Sequence, residues 1–193
     1  MIIWLDGTYC VGKSETANEI SKIFLDKKFD VIDSDGVYEE FFHKKMEFIK
    51  EHEELFKKYM IIPYFGGGPQ TDKEFIEKFK KIILSKLDDE NSNLIIVMAL
   101  PTEECRIGLY DSFIKKHNIL HIILTASEDA IKQRIKNDNN EKRDKKLALD
   151  YLNESMRFYE ENYHDSIRVN TENKNTAEVA YEIIEIMSNK KDW

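Results

Sequence analysis

Ile2-Ile3-Trp4-Leu5-Asp6-Gly7-Thr8-Tyr9-Cys10-Val11-Gly12-Lys13-Ser14 is the stretch whose reading decides the fold of this chain. An apolar run of strand length empties into G-x-x-x-x-G-K-S, and a helix-like segment follows at once. Strand, glycine-bounded loop and helix in that order make a phosphate-binding loop. Gly7 and Gly12 let the backbone turn so that several N–H groups point inward at an anion. The N-terminus of the next helix adds its partial positive charge. Lys13 can reach the terminal phosphates of a nucleotide, and the Ser14 hydroxyl can ligate a Mg2+ ion that bridges them. The expected cofactors are therefore ATP and Mg2+, with Gly7, Thr8, Tyr9, Cys10, Val11, Gly12, Lys13, Ser14 and Thr16 forming the nucleotide cradle.

Outward from the loop, helical periodicity continues through Ala17, Ile20, Ile23 and Phe24. Phe29 to Asp33 reads as a second strand running into the turn-prone Ser34-Asp35-Gly36. Val37 to Met60 is long, charged and amphipathic, and Gly66-Gly67-Gly68 follows in the only Gly/Pro-rich segment. Asp72 to Leu87 returns to helical spacing. Leu94 to Leu100 and Ile119 to Leu124 are continuous apolar runs, as buried parallel strands require. Helices are expected over Glu103 to Lys116, from Ala126-Ser127 through Ile135, over Leu147 to Tyr163 and over Thr176 to Met187. Ser166 to Val169 is the last strand, and Asn175 with Glu178 three residues on makes a helix-start signal. Five strands alternating with helices predict an α/β fold in three layers: a five-stranded parallel sheet with helices on both faces. No repeat or linker divides the 193 residues, so one domain is expected over 1–193, with 37–90 as a helical insert at the acceptor side.

Composition narrows the function. A net charge of −8 argues against a nucleic-acid binder, which would show a basic footprint. No apolar run approaches the ~20 residues that span a bilayer, and Met1-Ile2-Ile3 lacks the basic start of a signal peptide. Cys10 and Cys105 match neither a disulfide framework nor a metal-ligand spacing, which fits a reducing, cytoplasmic setting. Against that acidic background, 132–146 carries seven basic residues and three acids. Its Asn/Asp-rich centre predicts a mobile lid whose Arg134 and Arg143 fold over phosphates and stabilise a transition state.

In open parallel sheets, ligands bind beyond the carboxyl ends of the strands. Asp33 and Asp35 fall there, and their i, i+2 spacing puts both side chains on one side if the strand continues that far. A kinase acting on a hydroxyl needs one carboxylate to organise Mg2+ and one to accept or orient the hydroxyl proton. Ser14 and Asp33 are the expected metal ligands. Lys13, Asp35, Arg134 and Arg143 are the expected catalytic residues. The scattered histidines 43, 52, 117, 121 and 164 have no ligand spacing and are expected on the surface or in the core.

Taken together, the loop, the Asp pair, the basic segment and the closing helix resemble the P-loop small-molecule kinases of the shikimate-kinase and nucleoside-monophosphate-kinase group. The opening Met1-Ile2-Ile3-Trp4-Leu5-Asp6-Gly7 through Lys13-Ser14 is also similar to the start of the tunicamycin-resistance family, which shares that fold. Phe29 to Asp35 resembles the Asp-x-Asp segment of shikimate kinases. That likeness implies that Asp33 lies near the metal and that Asp35 contacts the acceptor hydroxyl. Arg134 to Arg143 resembles their lid. Phe158-Tyr159-Glu160-Glu161, Arg168-Val169-Asn170-Thr171 and Glu178-Val179-Ala180 are similar to their C-terminal third, where the loop after the last strand flanks adenine. The departures concern the acceptor. The shikimate kinases' triple glycine follows strand three, whereas Gly66 to Gly68 precedes it here. No arginine lies between Gly36 and Cys105 to hold an acceptor carboxylate, and Arg157 is displaced by two positions from a family arginine.

These readings predict an ATP- and Mg2+-dependent phosphotransferase acting on a hydroxyl of a small molecule other than shikimate, as a monomer or homodimer. Two alternatives stand beside it: an ATP-binding protein that sequesters a drug or metabolite and so confers antibiotic resistance, and a nucleoside or nucleotide kinase. A regulatory GTPase would need Asn-Lys-x-Asp after a late strand, and Asn170-Thr171-Glu172-Asn173 does not supply it.

Overall fold

The computed structural model describes residues 1–24, 29–41, 72–87, 93–139 and 145–189. The five strands are β1 (Ile2–Gly7), β2 (Phe29–Asp33), β3 (Asn93–Val97), β4 (Leu120–Thr125) and β5 (Ile167–Asn170). They form one sheet in the order β2-β3-β1-β4-β5, and every pairing is parallel. The chain first winds to one side of β1 and then, from β4 on, to the other. Such a reversal opens a crevice at the carboxyl end of the central strand, and the phosphate-binding loop leaves β1 at that point.

Side-chain alternation along the strands sorts the core into two layers. On one face Ile3, Leu5, Ile95, Val97, Ile122 and Leu124 pack against α1 (Lys13–Ile23) through Ala17 and Ile20. The closing helix, Thr176–Asn189, joins that layer through Val179, Ala180, Ile183 and Met187. On the other face Trp4, Ile32, Leu94, Ile96 and Ile123 meet Phe75, Phe79 and Ile83 of α3 (Lys73–Leu87). Tyr159 and Tyr163 also belong to this layer. Trp4 stands edge-on to Phe79 with ring centroids 6.2 Å apart, and its Nε1 donates to the Met98 carbonyl at 3.0 Å. The expected helices on both faces are present.

Two local expectations differ. The segment after β3 is not one helix over Glu103 to Lys116. It is a single α turn (Glu103–Cys105), a wide π turn (Arg106–Asp111) and a 3-10 turn (Ile114–Lys116). Gly108 sits where an added Cβ would lie 2.9 Å from Ile76 Cγ2, and the Ser112 hydroxyl donates to the Gly108 carbonyl at 2.5 Å. Close approach to the neighbouring helix and competition for that carbonyl account for the irregular turns.

The basic stretch 132–146 also has more helix than its composition implied. Residues 132–137 are the end of α4 (Glu128–Asn137), and Lys145 opens α5 (Lys145–Asn162). Buried Ile131 and Ile135 carry helical periodicity up to Asn137 despite the charges on the outer face. Residues 140–144, with Arg143, and the Gly66-to-Gly68 segment lie outside the described residues, as do the 42–71 and 88–90 parts of the expected insert. Among the described residues no helix is long and apolar enough to cross a membrane.

Candidate active site

The loop after β1 takes the backbone that its two glycines allow. Gly7 has φ +131° and Gly12 has φ +100°, and Gly12 is the N-cap residue of α1. A Cβ on Gly7 would sit 2.4 Å from the carbonyl oxygen of Leu124 on the adjoining strand. Gly7→Ala is therefore expected to cost about 1–3 kcal/mol of stability, read as a lower urea midpoint. Cys10 has φ +54°, and its Sγ lies 3.8 Å from Asp138 Oδ2. Val11 is buried, as is Thr8, a residue of the cleft lining whose buried hydroxyl oxygen has no hydrogen-bond partner. Thr16 is buried in the first turns of α1.

Lys13 folds back onto the loop, its ammonium donating to the Gly7 carbonyl at 3.0 Å and the Thr8 carbonyl at 2.9 Å. Desolvation lowers its pKa from 10.5, and the carboxylates of Asp35, Asp6 and Asp33 partly oppose that shift. A polyanion bound at the loop would favour the charged ammonium and raise the pKa again. Triphosphate binding is then expected to take up protons, and affinity to fall as pH rises through the depressed pKa of the free protein. Calorimetry in buffers of different ionisation enthalpy measures that uptake.

Asp33 closes β2, and its carboxylate works in two directions. Oδ2 accepts from the Ser14 hydroxyl at 2.7 Å, while Oδ1 accepts from the Asp35 backbone N–H at 3.0 Å. The second bond caps the helix α2, which occupies 34–41 within the described residues. This corrects the strand-based reading of the pair. Asp35 is not two strand residues beyond Asp33 but lies exposed in the first turn of a helix, because Asp33 ends the strand as a cap. Both residues nevertheless line the same cleft as Lys13 and Ser14.

Arg134, from α4, spans two loops. Its guanidinium donates to the Thr171 hydroxyl and to the Thr171 carbonyl, each at 2.9 Å, and reaches the Val11 carbonyl at 3.5 Å. Thr171 is itself tied to Thr125 at the end of β4, its N–H donating at 2.8 Å and its hydroxyl at 3.1 Å. Ala126, Ile131, Ile135 and Leu152 form a small apolar cluster on which Tyr9 and Cys10 rest. The loops after β1, β3 and β5, with α2, α4 and α5, enclose a cleft of about 1370 Å³. Single-ligand pockets run to about 300–1,000 Å³, so this cleft is larger than a pocket for one small ligand. Arg157 is outside its lining, with a side chain 70% exposed beside Glu161.

The feature missed in the sequence is Asp6. It is fully buried at the end of β1, and Oδ1 accepts from the Gly7 N–H at 2.6 Å, the Leu100 N–H at 2.8 Å and the Tyr159 hydroxyl. Oδ2 lies 2.8 Å from His121 Nε2, and His121 Nδ1 lies 2.7 Å from the Ser166 hydroxyl, which is 3.2 Å from that of Tyr110. Burial and the adjacent Asp6 carboxylate push the Tyr159 phenol well above its usual range, so it stays a donor. Burial likewise raises the Cys105 thiol to about 12, which leaves it unreactive. An acidic residue ending an otherwise apolar strand was the available signal for Asp6. Its partner lies 115 positions away.

Among the described residues no group of three His, Cys, Asp or Glu side chains could cage a metal. The Ser14 hydroxyl beside the Asp33 carboxylate is the set Mg2+ accepts: hard oxygens, few of them, with waters and phosphate oxygens completing the shell.

No family model and no curated protein matches this sequence. Solved structures match its fold over nearly the whole chain. The tunicamycin resistance protein of Deinococcus radiodurans superposes with a TM-score of 0.62 at 19% identity, covering 96% of this chain and 94% of that one. A shikimate kinase from Bacteroides thetaiotaomicron gives 0.63 at 16% identity, with 97% and 98% covered. A gluconokinase from Sinorhizobium meliloti 1021 gives 0.61 at 13% identity, with 97% and 91% covered.

Proposed function

We propose, for a chain with the fold of the P-loop small-molecule kinases, that it transfers the γ-phosphoryl group of ATP to a hydroxyl of a small molecule. The observation that carries this reading is the convergence of Lys13, the hydroxyl–carboxylate pair Ser14–Asp33 and Asp35 in one cleft of about 1370 Å³. The loop N–H groups from Tyr9 to Ser14 hold the phosphates, and Lys13 exchanges its carbonyl partners for phosphate oxygens. Ser14 and Asp33 hold Mg2+, which when bound offsets phosphate charge. Asp35 accepts the acceptor's proton as the acceptor oxygen forms its bond to phosphorus and the bond to the bridging β,γ oxygen breaks, leaving ADP. Arg134 and Arg143 close over the transferring group, with 132–146 as the lid and 37–90 lining the acceptor side. For Arg134 this means giving up Thr171 for phosphate oxygens.

The deciding experiment is ATP consumption against a panel of nucleosides, sugars, shikimate and antibiotics, with Lys13→Ala as the control. Turnover raised by one class and lost in the control supports the transferase. Tight binding of Mg-ATP without acceptor-stimulated turnover favours sequestration of a drug or metabolite. The fold likeness to a tunicamycin resistance protein keeps that second reading alive.

A further inference from the structure

The first half of α5 lines the cleft through one face, with Leu147, Tyr151 and Ser155 each about one turn apart. Its second half is anchored to the loop after β3. There the Tyr159 hydroxyl accepts from the Leu100 N–H and the Tyr163 hydroxyl donates to the Leu100 carbonyl, each at 2.8 Å. Ser155 and Tyr151 precede Tyr159 by about one and two turns, so that anchor sets them above the loop. Ala148 and Leu152, to either side of Tyr151, are taken up by the apolar cluster with Ile131 and Ile135. Tyr151 belongs to no apolar cluster of the described residues and is 47% exposed, although it is the largest side chain that α5 brings to the cleft. The loop after β3 also meets α2. Its Ala99 and Pro101 line the cleft, and Val97, where it leaves the strand, stands in register with Asp33, where α2 is capped. From α2, Tyr38 lines the cleft too, its ring held edge-on to Phe75 with centroids 4.9 Å apart.

We propose that Tyr151 is a specificity-determining residue for the second substrate, and that this substrate is an alcohol bearing a flat aromatic or heteroaromatic ring, which lies against Tyr151 and Tyr38. This rests on the transferase reading and names its acceptor class. Two tyrosines flanking one short loop, which itself carries the compact side chains of Ala99 and Pro101, offer carbon surface to a ring. Flat rings gain from offset or edge-to-face contact with tyrosine beyond the area they cover. Covering the wetted part of Tyr151 also releases water from apolar surface. A small polyol laid on the same rings would exchange hydrogen bonds to water for carbon contacts, which costs free energy.

Matched acceptors with Mg-ATP and the intact chain test this: nucleosides against their free pentoses, aryl glycosides against the free sugars, and aromatic amino alcohols against amino alcohols without the ring. The best acceptor is expected to carry the ring, with kcat/KM about tenfold or more above its ringless counterpart, the scale of stacking on one aromatic side chain. Tyr151→Ala is expected to raise the KM for that acceptor by about tenfold and to erase most of the preference, and Tyr151→Phe to restore both. The urea midpoint of Tyr151→Ala should stay in place, because the side chain is exposed and outside the core. A ringless polyol or sugar acid as the best acceptor, or a ring preference untouched in Tyr151→Ala, would overturn the inference and leave the transferase standing. Bound Mg-ATP with no stimulation by any compound would remove the transferase reading, and this inference with it.

Discussion

Lys13→Ala is expected to lower acceptor-dependent ATP turnover by about 10²–10³-fold, the usual loss when one donor to a developing charge is removed. Stability should not follow activity down. In the free protein the Lys13 ammonium is desolvated against two loop carbonyls, and burial lowers its pKa. A lysine whose folded pKa is depressed weakens the folded state in full below that pKa, and the deficit shrinks as pH rises through it and disappears above 10.5. Removing the side chain removes that cost at neutral pH. The expected signature is a large fall in kcat with an unchanged or slightly raised urea midpoint. A midpoint that dropped along with turnover would mean that Lys13 holds the loop together rather than acting on phosphate.

Asp6→Ala should do the reverse and strike stability first. It strands the His121 ring nitrogen and the Gly7 N–H, leaves the Leu100 N–H with the Tyr159 hydroxyl as its acceptor, and takes one partner from that hydroxyl. Breaking a buried pair by removing one member costs about 3–5 kcal/mol. At about 2–4 °C per kcal/mol for a chain of this size, the melting temperature is expected to fall by roughly 10 °C. Asp6→Asn separates shape from charge. Its Oδ1 can still accept the same N–H groups, but its amide must donate to His121 Nε2, which forces the ring proton onto Nδ1 and toward Ser166. A loss of about 1–2 kcal/mol, the worth of a rearranged buried bond, would mark this milder change. A cost equal to that of alanine would show that the negative charge itself is required.

The sheet and the phosphate loop were legible because both are written in local sequence. Apolar runs of strand length alternate with helical periodicity, and Gly7, Gly12, Lys13 and Ser14 lie in one short span. What sequence left open depended on contacts between distant segments. The strand after Phe29 could run through Asp35 by pattern alone, and it stops because the Asp33 carboxylate bonds Asp35 N–H and Ser14 at once. The helix expected from Glu103 broke where Gly108 meets Ile76, a contact no periodicity encodes. Arg134 stood out by charge, yet its present partner is Thr171, chosen by the packing of Ile131 and Ile135. His121 was one of five unremarkable histidines until Asp6 was found beside it.

The bonds of Asp6 bear on how this scaffold can diversify. One carboxylate grips the first amide of the phosphate-binding loop and, through Leu100, the base of the loop after β3 on the opposite wall of the cleft. Tyr163 adds a second fastening, its hydroxyl donating to the Leu100 carbonyl at 2.8 Å. Insertions or altered lengths at Leu100 would therefore disturb both walls of the cleft at once. New acceptor preferences are reached more safely by exchanging side chains at Tyr38, Ala99 or Thr102, which line the cleft without sharing in that fastening. Libraries confined to those three positions should retain nucleotide affinity in most members, whereas libraries at Leu100 should lose both functions together.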